Sequence, residues 1–315
     1  ASGSSLAAPG LVDVYQMAQM HDAKLAQAEA TFQAEQEIMS QARSLLLPKV
    51  SASATMNTPD IDESASSQSV GVELTQPLFN KEAFSRYDQA KSKLRLAETT
   101  FRNAQQQLIL NVSQAYFDVL LAEQDLRLAK SKEEADKIQW EKAQASADVG
   151  LASRTDVLQA RSSYDLSISN RISAENALDK AYESLTKLTG KPIREVKQLM
   201  LSVALTPQQL DKTALELQAE ANNLAVRSAK QQSEVAAEEV VAQKSGHWFK
   251  VGLTATYNNN LDCSTLSTCQ EGDNISVMVK ASVPLYSGGE TSSKVSQARF
   301  NSQAANIAVR DAREQ

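Results

Sequence analysis

The sequence predicts a mainly α-helical chain with a small membrane β part, in which long antiparallel helices alternate with four β-strands. Three observations predict it. Between Lys81 and Val149 neither Gly nor Pro interrupts the chain, so one helix of nearly seventy residues, about 100 Å at 1.5 Å per residue, fills that stretch. Four short segments instead alternate apolar and polar residues with a period of two, the signature of a strand with two unlike faces. The order helix, strand, strand, helix occurs twice.

Composition agrees with this class. Ala, Gln, Ser, Leu, Glu and Lys dominate, Gly and Pro number only 10 and 7, and aromatic residues make up 5%, which favours helices over a sheet-rich globule. The apolar residues are spread thinly at helical spacing, as expected of an elongated chain whose helices pack on one another or on partner chains. A net charge of -6, with no Lys/Arg cluster free of neighbouring acids, argues against a nucleic-acid partner. No run approaches the roughly 18 apolar residues of a spanning helix, so if the chain crosses a membrane it must do so with strands. The start at Ala1, with no apolar signal segment behind it, reads as a processed or trimmed chain.

The first repeat covers residues 1–212. A helix over 11–47 is stopped by Pro48. In the strand at 50–56, Val50, Ala52, Ala54 and Met56 alternate with Ser51, Ser53 and Thr55, and after a Pro/Asp/Ser-rich loop a strand at 69–76 sets Val70, Val72 and Leu74 against Gly71, Glu73 and Thr75 until Pro77 breaks the pattern. The two form a hairpin.

The long helix at 81–149 carries the stripe Tyr87, Ala90, Leu94, Ala97, Phe101, Ala104, Leu108, Val112, Ala115, Val119, Ala122, Leu126 and Ala129. Its steps are three and four residues, with one four-four stutter at Leu108 to Val112 that relaxes the supercoil locally. Gly150 suits a left-handed helix stop, and Ser153 with Asp156 forms a capping pair for the next helix, 153–189. That helix has a stripe with a polar middle, Val157, Ala160, Tyr164, Ser167, Arg171, Ala174, Leu178, Ala181, Leu185 and Leu188, suited to water or a partner. At about 55 Å, it and the first helix together match the long one. An irregular connection covers 190–212.

The second repeat, 213–315, has a helix at 213–245, strands at 250–257 and 275–283, and the start of a long helix at 289–315. Lys250-Val251 stands where the first copy has Lys49-Val50, and Pro284-Leu285-Tyr286 echoes Pro77-Leu78-Phe79. Relative to a complete second repeat, roughly eighty residues, including a second helical hairpin, are expected to be absent. Cys263 and Cys269 lie close together in a polar loop and read as a short disulfide in an oxidising compartment, two unrelated thiols being the alternative.

Each repeat supplies two strands with an apolar and a small or polar face, the pattern of a transmembrane barrel wall. Four strands cannot close a barrel, and an open edge in lipid leaves backbone groups unpaired at several kcal/mol each, so several chains must share one. The alternative is a pair of soluble hairpins packed on a core.

At this point the residues resemble a known family, the TolC outer-membrane factors. The motifs that carry the resemblance are Ser44-Leu-Leu-Leu-Pro48, Leu74-Thr-Gln-Pro-Leu-Phe79, Ser113-Gln-Ala-Tyr-Phe-Asp-Val-Leu120, Val149-Gly-Leu-Ala-Ser-Arg-Thr-Asp-Val-Leu158 and Val283-Pro-Leu-Tyr-Ser-Gly-Gly289. The resemblance implies a homotrimer with a twelve-stranded β-barrel in the outer membrane and a coiled-coil α-barrel through the periplasm. It implies as partners a periplasmic adaptor (membrane fusion) protein, an inner-membrane pump and the lipid bilayer, in a tripartite efflux or type I secretion system that passes drugs or proteins outward. Ala1 offers no cysteine for the lipid anchor of some relatives.

Carried onto this chain, the resemblance makes Val149, Gly150, Leu151, Thr155 and Asp156 the adaptor-docking tip, where Gly150 also serves as a helix stop and Thr155 and Asp156 as cap residues. It maps Gln139 and Asp156 onto contacts that hold the periplasmic aperture closed. Glu73 and Lys280, on the polar sides of their strands, are the candidate lumen-facing charges, against the ordinary reading of solvated side chains.

No cofactor, metal site or catalytic residue is expected. The two histidines, His21 and His247, are not spaced as ligands with Cys or carboxylates, and no phosphate loop, nucleophile elbow or His-based triad occurs. The competing function is a structural coiled-coil or periplasmic adaptor protein, for which paired helices alone suffice; the two-faced hairpins favour the channel.

Overall fold

A computed structural model describes residues 8–57, 67–198, 212–263 and 272–314. Seven helices and four strands follow in the order α1 (Leu11–His21), α2 (Ala23–Ser44), β1 (Lys49–Asn57), β2 (Ser67–Asn80), α3 (Lys81–Asp148), α4 (Arg154–Thr189), α5 (Lys212–Asn222), α6 (Leu224–Lys244), β3 (Lys250–Cys263), β4 (Gly272–Ser282) and α7 (Glu290–Glu314). Two compact units emerge from the contacts, one of residues 1–29 and 102–209, the other of 30–101 and 210–315.

In the first unit the predicted stripes meet. Leu108, Val112, Ala115, Val119 and Ala122 of α3 are buried with Leu185 of α4, and every other stripe residue on α4 is buried or half-buried. Each fully buried Val or Leu stabilises by about 1.5–3 kcal/mol. Val14 and Ala18 are also fully buried where α1 packs on α4. The Tyr116 hydroxyl donates to the Lys197 carbonyl, and the Lys197 amide to Pro9 at 3.1 Å, which fastens the chain after α4 back to the start of α1.

Where one helix was expected over 11–47, two form. Asp22 leaves helical geometry, with φ -62° and ψ 116°, and its carboxylate accepts from the Leu25 amide at 2.7 Å, so it ends α1 and caps α2. The stretch 213–245 is likewise divided at Asn223, whose side chain accepts from the Ala225 and Val226 amides. An Asx side chain competes with the helix for backbone donors, and period alone does not register that.

The second unit contains one antiparallel sheet in the order β1-β2-β3-β4. Pro77 does not end its strand: β2 runs on to Asn80 through a register shift between Pro77 and Phe79, where a residue without an amide proton costs no ladder bond. Stacked Phe32 and Phe101, 5.5 Å apart, join α2 to α3, and α6 packs on α7 through buried Val235, Ala242, Val295 and Ala298. A polar knot at the base of the sheet joins α3 to α6: Glu239 accepts from Arg86 at 2.5 Å, Gln89 at 2.6 Å and Gln243 at 2.5 Å. Burial raises the Glu239 pKa, but these three donors outweigh it and hold the carboxyl below its ordinary value.

Candidate functional site: a two-faced sheet and a helical hairpin tip

The register sorts the sheet into rows. Ser51, Glu73, Thr256 and Ser276 face one another across all four strands, while the adjacent rows are Val50, Leu74, Ala255, Val277 and Ala52, Val72, Tyr257, Ile275. Residues paired in an antiparallel ladder share a face, so one side is hydroxylic and charged and the other apolar. Nothing in the described residues covers the apolar side: Ile275, Val277 and Val279 are 73%, 68% and 63% exposed. Side-chain bonds tie the polar side across and along the strands, Thr256 to Ser276 at 2.6 Å and Thr75 to Glu73 at 3.0 Å. Lys280 pairs with Gly252, two residues from Thr254 on the same polar face as Glu73. Both predicted charges are therefore on one side.

The sheet's outer strands, β1 and β4, each pair with one neighbour among the described residues. An exposed apolar face between two unpaired edges is a liability in water that soluble proteins blunt with charge or cover.

At the border of sheet and helices lies a feature the sequence reading did not single out. Phe79 stacks on Phe249 at 4.8 Å and lies 6.4 Å from both Phe84 and Trp248. Trp248, Phe249 and Phe84 stay half exposed at 50%, 42% and 42%. Girdles of aromatic rings flank the apolar band of membrane barrels, and the Trp248 indole is amphipathic as such a boundary favours. The signal was present in the scarcity of aromatics together with three of them at strand ends.

At the other candidate site, α3 ends in a Schellman motif. The Gly150 amide donates to Ala147 at 2.9 Å and the Leu151 amide to Ser146 at 2.8 Å, with Gly150 at φ +75°. No atom lies within 4 Å of a side chain built there, so the backbone twist, not crowding, asks for glycine. Ser153 caps α4 by accepting from the Asp156 amide at 3.2 Å, while one Asp156 oxygen accepts from the Ser153 hydroxyl at 2.7 Å and amide at 3.0 Å. Those two bonds hold the Asp156 carboxyl below its usual pKa. The turn thrusts Val149 and Leu151 outward, 70% and 83% exposed. Thr155 and Gln139 are exposed too.

Above this tip α3 and α4 are joined by contacts of which only Tyr164 and Arg171 were anticipated as stripe residues. Trp140 stacks on Tyr164 at 5.6 Å, Arg171 bridges Glu133 at 2.5 Å and Glu175 at 2.7 Å, and the Tyr182 hydroxyl donates to Glu123 at 2.5 Å. Burial and then that bond to Glu123 drive the Tyr182 pKa well above its ordinary value.

The expected disulfide between Cys263 and Cys269 falls outside the described side chains. His21 packs against Gly190, whose left-handed φ of +68° ends α4 and whose missing side chain makes room for the imidazole. Among the described residues no group of His, Cys, Asp and Glu could hold a metal ion, and no helix is long and apolar enough to cross a membrane.

The family model described as "Outer membrane efflux protein" matches residues 14–191 and 216–315. The chain belongs to the outer membrane efflux protein family. With that membership its location is the outer membrane. Outer membrane protein TolC of Vibrio cholerae is 30% identical over 306 residues, 94% of this chain and 69% of that protein. TolC of Escherichia coli is 30% identical over 311 residues, covering 93% and 63%. The alkaline protease secretion protein AprF of Pseudomonas aeruginosa is 28% identical over 305 residues, 92% and 63%. The chain thus spans about two thirds of the length of these relatives. Its fold is that of the outer membrane protein VceC of Vibrio cholerae, with a TM-score of 0.81 at 17% identity over 97% of this chain and 75% of that one.

Proposed function

We propose that this efflux-family protein is the passive exit duct of a tripartite efflux or type I secretion system, in which drugs or proteins pass through a tunnel that spans the periplasm and leave through a shared β-barrel. The observation that carries the reading is the sheet: among the described residues one face is apolar and bare, the other hydroxylic and charged, and both edges are unpaired. Lipid satisfies the first face and water the second, while neighbouring copies satisfy the edges, because unpaired backbone groups in lipid cost several kcal/mol each. Three copies with four strands each close a barrel of twelve. Glu73 and Lys280 then face the passage. The names of TolC and AprF support the efflux and secretion setting.

The remaining roles follow the same frame. Exposed Val149 and Leu151, presented by the Gly150 turn with Thr155 and Asp156 beside them, dock a periplasmic adaptor that links the duct to an inner-membrane pump. Gln139 and Asp156 contribute to the closed aperture. Chemistry is absent from the cycle; passage and gating are the activity.

Light scattering of the detergent-extracted, full-length protein, corrected for bound detergent, tests the assembly, and a planar bilayer tests conduction. A trimer with discrete single-channel steps is expected. A stable monomer without conductance would overturn the proposal. In the same bilayer Asp156→Ala raises conductance if Asp156 holds the aperture, and unchanged conductance removes it from the gate.

A further inference from the structure

The base of the sheet holds a groove of about 620 Å³, the size range of sites for drug-sized ligands. Its apolar wall is Ile38 and Ala42 on the last turns of α2 with Leu45 just past its end, and the first turns of α3 supply residues from Glu82 to Lys93, about 16 Å along the helix axis. Thr75 and Lys49 close the end at the sheet. These two are ladder partners, and the Thr75 hydroxyl reaches Glu73 on the same side, so the groove opens on the polar face of the sheet, away from the apolar one.

Charge in the groove is one-sided. Lys49 and Lys93 line it, and neither side chain has an ion-pair or hydrogen-bond partner among the described residues. Arg86 lines it as well, but Glu239 fixes it in place and compensates its charge. The one carboxylate in the lining, Glu82, is already neutralised by Lys250 at 2.9 Å. Uncompensated ammonium groups beside a half-enclosed apolar wall attract an anion whose body is itself apolar, because the low local dielectric strengthens the charge contact while the wall removes apolar surface from water.

The geometry points to a binding site for a small anionic amphiphile, a compact apolar body carrying a sulfonate, phosphate or carboxylate, seated on the apolar wall in the field of the Lys49 and Lys93 charges. The duct reading above adds only that such a molecule is cargo, met on the polar face as helices give way to barrel. Binding itself does not depend on conduction. Arg86 is compensated by Glu239, so the two lysines, whose side chains have no partner among the described residues, set the preference for negative charge.

The test uses full-length protein in a nonionic detergent at fixed concentration, titrated with 8-anilinonaphthalene-1-sulfonate and with its uncharged parent, N-phenyl-1-naphthylamine, against a detergent blank. In the Lys49→Gln/Lys93→Gln variant the sulfonate is expected to lose about tenfold or more in affinity, while the parent changes by less than about twofold. Equal affinity of wild type and variant for the sulfonate, or no saturable binding of either probe, overturns the site. A second reading serves if the variant elutes as aggregate: in wild type, raising salt from about 50 to about 500 mM weakens the sulfonate but not the parent, and a salt-independent sulfonate overturns the proposal. Protein that binds selectively yet fails to conduct would sink the duct reading and leave the site standing; protein that conducts without discriminating does the reverse.

Discussion

Asp22 and Asn223 perform the same operation at corresponding places, each ending one helix and capping the next 27 residues ahead of the strand that opens with Lys49 or Lys250. Two unlike segments of sequence interrupt their helices at one position of the repeat, which supports reading the chain as two copies of one unit. Replacement by Ala is expected to destabilise by about 1 kcal/mol at either site, and by Gly only by a few tenths, since Gly tolerates the cap conformation. Urea unfolding followed by circular dichroism checks this; equal losses for Ala and Gly would contradict the cap conformation, and no loss in either would show that the side-chain bonds contribute nothing.

Gly150→Ala meets no atom within 4 Å but must hold φ near +75°. The expected cost is about 1 kcal/mol, local to the turn, with amide exchange accelerating at Leu151 and Gly150 and not in the packed part of α3 around Val112. Leu151→Ser is expected to leave stability unchanged and to weaken adaptor binding, read by co-purification with the adaptor.

Glu239 gives a pH dependence with a definite sign. Its folded pKa lies below the ordinary value, so its contribution is complete above about pH 4.3 and disappears as pH falls through the lowered folded value. Glu239→Gln should flatten the acid limb of the stability curve and cost about 1 kcal/mol at neutral pH, a modest figure because Arg86 and Glu239 are each about one third exposed. Unfolding midpoints between pH 7 and pH 3 for the two proteins make the comparison.

Tyr182 works in the opposite direction. Its pKa is raised, so its contribution is complete below about pH 10 and is lost only as pH climbs toward the elevated folded value. Tyr182→Phe leaves Glu123 without its donor and is expected to loosen α4 from α3, at about 1–2 kcal/mol. Absorbance at the phenolate band, taken as the difference between wild type and variant, should show the Tyr182 phenol titrating above its ordinary value.

The parts legible in the sequence are those governed by periodicity. The α3 stripe from Tyr87 to Ala129 is buried or half-buried at every position, and the alternation at Val70 to Thr75 matches the sorting of faces across β2. The Ser153–Asp156 cap was legible because capping has a local spacing. What escaped depends on tertiary placement. Pro77 looked like a strand end, yet β3 supports a register shift around it. The cluster of Phe79, Phe84, Trp248 and Phe249 joins residues far apart in the chain, and the Arg171–Glu133 bridge requires knowing how α4 lies on α3.

In the proposed duct the apolar face of the sheet meets lipid and the polar face meets water, and β4 reports on both because every one of its residues is exposed among the described residues. Single nitroxide labels at positions 275 to 280, in protein reconstituted into vesicles, report collision with oxygen, which concentrates in lipid, and with a nickel chelate, which stays in water. The account predicts a period of two: oxygen dominates at 275, 277 and 279, and the chelate at 276, 278 and 280. Equal access of the chelate to both sets would contradict it and return the hairpins to an aqueous setting.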